Sequence, residues 1–347
     1  MKTYSIAFIV LALTCSTLSA QTTQPVEREI TVVGAGDVRL GASLLLPAGA
    51  GAGHRVPGVI VVAGSGPTDR NGNQGLLLRT DLLKQIALAL AENGVASLRF
   101  DKRVVGLAAK SMPLDNAGLG SYVAWDNFVF DALAALRTLR QQPEIDPART
   151  GMIGHSEGGL LVLDAAGRLV GNEKAAIVVL VSTPGRAMEV VIDEQLKHLL
   201  TLQNATPEQT QFFLKRNSEI TAAIRQTGQT PADVPPGLAA LYPPYIGRFF
   251  QQELLVDPPK LAAQFTGPVL VINGEKDTQV SAQRDATNLD GALKTRKPDD
   301  HEVLIIPSAS HNLKHVNADT DSGFLGEVPA DAMKKIVSWV KLKLKQN

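Results

Sequence analysis

Apolar residues recur along this chain in two rhythms, and their alternation predicts a sheet with helices on both faces. Glu27 to Val33 and Val38 to Leu46 read as strands, and the Gly34-Ala35-Gly36-Asp37 turn between them makes an antiparallel hairpin the expected start. Val59 to Ala63 is a short unbroken apolar run, the pattern of a strand covered on both sides, and it leads into a glycine-rich loop. Leu82, Leu83, Ile86 and Leu90 then recur at helical spacing, and Val95 to Phe100 follows as a strand. The next helix presents Trp125, Val129, Ala132, Leu136 and Leu139. The alternation continues with strand Thr150 to Gly154, a helix from Gly158, strands Ala175 to Val181, Pro268 to Asn273 and Glu302 to Ile306, and a last helix carrying Met333, Ile336, Val337 and Val340. Together these predict an α/β fold: a doubly wound, mostly parallel central sheet flanked by helices.

One interval breaks the rhythm. Residues 184–266 hold helical patterns and the proline pairs Pro235-Pro236, Pro243-Pro244 and Pro258-Pro259, but no clear buried strand. An inserted helical cap is expected there, between core segments 21–183 and 267–347. It carries Phe212, Phe213, Tyr242, Tyr245, Phe249 and Phe250, which either line a substrate pocket or form a core of their own. The chain shows no convincing internal repeat and no low-complexity tail.

At the N-terminus, Lys2 precedes an apolar run from Ile6 to Leu13 and small residues ending at Ser19-Ala20, the pattern of a secretory signal peptide over residues 1–20. That run is well short of the roughly 18 residues needed to cross a bilayer. Leu18 is an imperfect residue three positions before the expected cut. Lipidation of Cys15 is the alternative, although Thr14 before it is larger than a lipoprotein signal prefers. The expected protein is therefore exported, periplasmic or secreted, with no stable membrane insertion of the mature chain. Cleavage after Ala20 removes the single cysteine, which excludes disulfides and cysteine catalysis.

Composition narrows the partner. The 347 residues are 44% hydrophobic and 20% charged, enough to bury a large core, and 34 Lys and Arg balance 34 Asp and Glu. Without a global field, a nucleic-acid groove is not expected, and the partner must be selected by local chemistry.

The sharpest local signal is Gly154-His155-Ser156-Glu157-Gly158-Gly159, which follows a strand and opens a helix, the context a G-x-S-x-G nucleophile elbow requires. So tight a turn needs residues without side chains at Gly154 and Gly158, and the helix that starts there aims its amides at a developing negative charge. A serine hydroxyl also needs a base within about 2.6 to 3.2 Å and a third group to orient that base. Asp277, closing the segment that begins at Val269, and His311, in Ser308-Ala309-Ser310-His311, supply both in the order Ser, Asp, His. Each has rivals: Glu275 lies closer to its strand, and His301 and His315 bracket His311, but His301 precedes the last strand and falls at the wrong end of the sheet. An oxyanion hole is expected from the backbone amides of Glu157 and Ser65, with Gly66 as the alternative to Ser65.

These residues resemble the α/β-hydrolase superfamily. The pairing of Gly64-Ser65-Gly66-Pro67-Thr68-Asp69-Arg70 with the Gly-His-Ser-Glu-Gly-Gly elbow is similar to its exported bacterial esterases related to serine aminopeptidases, over about Pro57 to Leu344. The superfamily often has His-Gly where this chain has Ala63-Gly64. Phe100-Asp101-Lys102-Arg103 resembles the family's Asp-x-Arg segment, which braces the site. The resemblance implies an α/β-hydrolase fold and hydrolysis of a carboxylic ester, with a small acyl substrate as partner.

Other signals are weaker. Gly34-Ala35-Gly36 lacks the third glycine of a dinucleotide loop, having Arg39 there, and a strand follows. Asp69 to Asn73 begins like a calcium loop, but Gln74 and Thr80 stand where glycine and glutamate belong. His311 and His315 are four apart without the glutamate of a zinc helix. Glu157, a charge beside the nucleophile, is expected to pair with Arg70 or Arg103 or else to face solvent. The expected enzyme needs no metal or organic cofactor. A peptidase or acyl transferase would use the same triad, and a non-catalytic binding protein would keep only the fold.

Overall fold

The hairpin forms as its turn residues dictate. In a computed structural model, which describes residues 24–76, 78–318 and 321–346, β1 (Val26–Val33) pairs antiparallel with β2 (Arg39–Leu46), from Val26 opposite Leu46 to Val33 opposite Arg39. Gly36 takes the left-handed conformation in the turn, with φ 64°. The expected leader, with Cys15, lies outside the described residues. Six further strands follow: β3 (Val56–Val62), β4 (Ala96–Phe100), β5 (Ile145–His155), β6 (Val178–Val181), β7 (Val269–Gly274) and β8 (His301–Ile306). They align in the order β1-β2-β4-β3-β5-β6-β7-β8, antiparallel at β1/β2 and β2/β4 and parallel from β4 to β8.

Successive side chains of a strand leave on opposite faces, so a continuous apolar strand serves two cores at once. Ile60 and Val62 of β3 join Leu98 and Met152 in one apolar cluster, whereas Val59 and Val61 join Ile153 and Val179 in the other. The first cluster is closed by helices α3 (Trp125–Arg140) and α4 (Glu157–Gly167), through Val129, Ala132, Leu136, Leu160 and Leu163. The second is closed by α1 (Leu82–Glu92) and α10 (Ala330–Gln346), through Leu82, Leu83, Ile86, Leu90, Ile336 and Val340. Two short helices escape the periodicity, α2 (Asn116–Tyr122) and α9 (Thr287–Leu293). Each contains glycine and has a weak intrinsic preference; α2 depends on its cap, in which the Asp115 carboxylate accepts from the Gly118 amide.

Between β6 and β7 the chain runs through α5 (Met188–Leu202), α6 (Pro207–Thr227), α7 (Gly247–Glu253) and α8 (Pro258–Gln264). Thr206 and Gln209 form a reciprocal capping box that starts α6, and Gly228 at φ 68° ends it. These helices do not build a separate core. Val191, Ile192, Ile220, Tyr242, Phe249 and Phe250 belong to the same apolar cluster as α3 and α4. The Phe249 ring is 5.8 Å from both Trp125 and Phe128, and Gln252 accepts from the Trp125 amide at 3.0 Å, so α7 is pinned to the start of α3.

Candidate active site

The carboxyl ends of parallel strands collect loops at one edge of a sheet, and here they collect the expected chemistry. Ser156 stands between β5 and α4 with φ 55° and ψ −127°, a conformation that costs a non-glycine residue on the order of 1–3 kcal/mol. Close approach explains its two glycines. A Cβ on Gly154 would lie 2.2 Å from the Gly158 carbonyl oxygen, and one on Gly158 would lie 2.5 Å from the Val62 oxygen and 2.6 Å from the Ala63 oxygen.

After β7, Asp277 is buried with its side chain sealed from solvent, and its Oδ2 is 2.8 Å from His311 Nδ1. The other oxygen, Oδ1, accepts from the Gln279 and Val280 amides at 2.8 Å each, so the carboxylate is fixed at both ends. Glu275, its rival, accepts from the Ser308 amide and is thereby occupied in holding the loop. His301 opens β8 at the opposite end of the sheet, between Asp290 and Asp299. His315 is exposed on the loop beyond His311.

His155 bridges the elbow and the histidine loop. Its Nε2 is 3.1 Å from the His311 carbonyl oxygen, which can only accept, so the ring donates there. The two imidazoles lie 4.8 Å apart between centroids. Burial pushes the His155 pKa down to about 3, with His311 adding to the effect, so this ring is neutral at ordinary pH. No hydrogen bond joins Ser156 Oγ to His311 among the described residues; catalytic hydrogen bonds are often long before substrate binds and tighten in the complex.

Ser65, Gly66, Ser156 and Glu157 line one cavity of about 520 Å³. Glu157 is the first residue of α4, where an amide has no intrahelical acceptor. Across the cavity, the Ser65 carbonyl is clamped by Thr68 Oγ1 and Gln74 Nε2, each at 2.8 Å, which fixes the glycine-rich loop. Asp69, which opened the calcium-like segment, spends Oδ1 on the Asn71 and Asn73 amides. Among the described residues, no group of three or more His, Cys, Asp or Glu could hold a metal ion.

The cation beneath Glu157 differs from expectation. Lys102 Nζ lies 2.8 Å from Glu157 Oε1 with both side chains buried, and it also donates to the Gly64 carbonyl at 3.0 Å. Arg70 is instead held by Asp101 at 2.9 Å and by Glu29, while Arg103 grips the buried Asp131 through Nε and Nη2 at 2.8 and 2.6 Å. Each arginine fork finds a carboxylate it can engage bidentately, or two at once, and the compact ammonium is left for the narrow space under the elbow.

The aromatic lining also differs in part. Tyr245, Phe249 and Phe250 reach the cavity, but Tyr242 is buried with its hydroxyl donating to Asn217 Oδ1 at 2.6 Å, Phe212 is exposed, and Phe213 packs against Phe212. Glu253 was invisible as a site residue, yet it lines the cavity and is 2% exposed. The available signal was its spacing, since residues three and four beyond Phe250 and Phe249 share their face of α7.

No family model matches the chain. It is 29% identical to Esterase EstD of Thermotoga maritima over 255 residues, 74% of this chain but 53% of that protein, so the match spans about half the relative's length. Among solved structures, a puromycin-hydrolyzing peptidase from Mycobacterium tuberculosis superposes with TM-score 0.55 at 17% identity, covering 92% of this chain and 40% of that one. Est1E from Butyrivibrio proteoclasticus superposes with TM-score 0.52 at 15% identity, covering 92% and 99%. The chain has the α/β-hydrolase fold.

Proposed function

We propose that the chain is a serine hydrolase of carboxylic esters, with Ser156 as nucleophile, His311 as general base and Asp277 as the acid that orients it. The observation that carries this reading is a serine held in a strained elbow beside a buried Asp277–His311 pair. With Nδ1–H donated to Asp277, the imidazole presents the Nε2 lone pair. His311 takes the Ser156 proton as Oγ bonds to the acyl carbon, then returns it to the departing alcohol as the ester C–O bond breaks. Water attacks the acyl-enzyme, His311 takes its proton, and the freed Ser156 oxygen receives that proton as the acid leaves. The Glu157 and Ser65 amides, with Gly66 beside the latter, stabilise the oxyanion; one such donor is typically worth about 100- to 1000-fold in rate.

The likeness to Esterase EstD supports ester hydrolysis, and the peptidase among the structural relatives supports a second reading, amide hydrolysis at the same serine. In both, residues 184–266 act as a cap over a core of 21–183 and 267–347, and the partner is a small acyl compound. Among the described residues no helix is long and apolar enough to cross a membrane, and the pattern of residues 1–20 supports export. N-terminal sequencing of the protein recovered outside the cytoplasm checks the leader.

The decisive test is hydrolysis of an ester series of rising acyl length, run beside aminoacyl amides, with wild type and Ser156→Ala. Turnover of esters by wild type, loss of it in Ser156→Ala, and phosphonate labelling at Ser156 support the proposal. Undiminished turnover by Ser156→Ala overturns it, and a preference for amides selects the second reading.

A further inference from the structure

Buried charges among the described residues come with partners. Arg103 has Asp131, Asp285 has Arg186, Asp277 has His311 and Lys314 has Gln85. Glu253 breaks the rule: 2% exposed on α7, it makes no hydrogen bond and no ion pair among the described residues. It lines the cavity of Ser156 together with the apolar Val191, Ile192, Leu241 and Phe249, and the Lys102 and Glu157 charges act on its carboxyl. Its carboxyl oxygens are not among the sealed, unpartnered polar atoms of the described residues, so they open on the cavity, and a carboxyl held there largely out of bulk water carries a desolvation cost that an apolar side chain of similar size would avoid.

The obvious internal partner is already committed. Lys102 Nζ is engaged by Glu157 and the Gly64 carbonyl, and it sits 4.7 Å from the Phe128 ring centroid. We propose that Glu253 is a specificity-determining residue whose carboxyl receives a hydroxyl group that the substrate carries in addition to its scissile ester. The substrate class is thus a hydroxylated ester with an otherwise apolar body. This rests on the reading of Ser156 as the nucleophile.

The choice of a neutral hydroxyl follows from the surroundings. Burial, reinforced by the Glu157 carboxylate, pushes the Glu253 pKa well above the ordinary carboxyl range against the pull of Lys102. A carboxylic acid offers one O–H donor and acceptor oxygens, and a hydroxyl matches both roles. A substrate ammonium would instead share the cavity with the Lys102 charge. A site built to bond a hydroxyl discriminates strongly against the analogue without it, because its own polar group is then left dry.

The test compares a nitrophenyl alkanoate with its ω-hydroxy and ω-ammonium analogues of equal chain length, in wild type, Glu253→Gln, Glu253→Leu and Glu253→Met. The readout is the ratio of kcat/KM for each substituted ester to that of the plain ester. Wild type is expected to favour the hydroxy ester by about tenfold or more. Glu253→Gln, which keeps a donor and an acceptor, should stay within about threefold of that ratio. Both apolar variants should lose it, mainly through KM. The proposal is overturned if Glu253→Leu and Glu253→Met keep the wild-type ratio, or if wild type favours the ammonium ester and Glu253→Gln abolishes that preference. Failure of wild type on all three esters would instead refute the esterase reading, which separates the two ideas.

Discussion

Lys102→Met removes the ammonium under the nucleophile elbow while keeping an unbranched side chain of similar length. In the protein, Lys102 and Glu157 are 5% and 4% exposed, and their 2.8 Å contact is reinforced by the Lys102 bond to the Gly64 carbonyl. Removing one partner of such a pair typically costs about 3–5 kcal/mol, because the other charge stays buried without compensation. The 520 Å³ cavity beside the pair can admit water, which brings the cost to the bottom of that range or below it, about 2–3 kcal/mol, or roughly 30- to 150-fold in the folding equilibrium. Adding Glu157→Gln removes the orphaned carboxylate and should recover at least half of the loss. Denaturant unfolding of wild type, both single variants and the double variant measures this cycle, and kcat on a chromogenic ester follows the glycine-rich loop that Gly64 begins. A Lys102→Met protein within about 0.5 kcal/mol of wild type, or a double variant that loses the sum of the singles, would refute the reasoning.

Three further outcomes are expected. Asp277→Asn disturbs the tautomer of His311 and should lower kcat by about 10⁴ with little change in KM; a loss below tenfold would deny Asp277 its role. His155 is neutral when folded and can bind a proton when unfolded, so the contribution of its burial is complete above pH 6.5 and drains away as pH falls toward about 3. Between pH 7 and pH 4 the wild type should therefore lose up to about 3 kcal/mol that His155→Asn does not, a limit set by the shift and reduced by partial solvation of the ring, and parallel stability curves would contradict this. Gly274→Ala would place a methyl 2.2 Å from the Ala309 oxygen and 2.3 Å from the Ser310 oxygen, and should cost at least about 2 kcal/mol and most of the activity, read by thermal unfolding and ester turnover.

Strand and helix positions were legible because burial writes a period into the sequence. Val59 to Val62 is apolar throughout since both faces of β3 are covered, and α3 shows its stripe from Trp125 to Leu139 because only one face is. The elbow was legible for a steric reason, the two glycines that flank Ser156. What stayed hidden depends on distance across the fold. Arg70, Lys102 and Arg103 are all plausible partners of Glu157 by charge, and only the presence of Asp101 and Asp131 beside the two arginines leaves the lysine. The aromatics from Phe212 to Phe250 carry no mark that separates cavity walls from interior, and Tyr242 turns inward because Asn217 offers its hydroxyl an acceptor.

Backbone contacts between separate loops fix the candidate site in place. Its polar side chains arrive on separate loops, and loops joined only by long side chains would drift by more than a proton transfer tolerates. Here backbone meets backbone. Gly158 packs on the Val62 and Ala63 carbonyls, tying the elbow to the end of β3, and the Lys276 amide donates to the Ala309 carbonyl at 2.8 Å, tying the Asp277 loop to the His311 loop. The Ser156 amide donates to the Val181 carbonyl at 2.8 Å, which anchors the elbow serine to the next strand. With the backbone so constrained, the strain at Ser156 cannot relax by local movement, and rigidity of the sheet edge offsets a conformation the residue would leave if it were free. Cavity-lining groups from α7 follow the opposite rule. Phe249, Phe250 and Glu253 stand on α7, an element outside the sheet, so they can change while the backbone contacts that hold Ser156 and His311 remain.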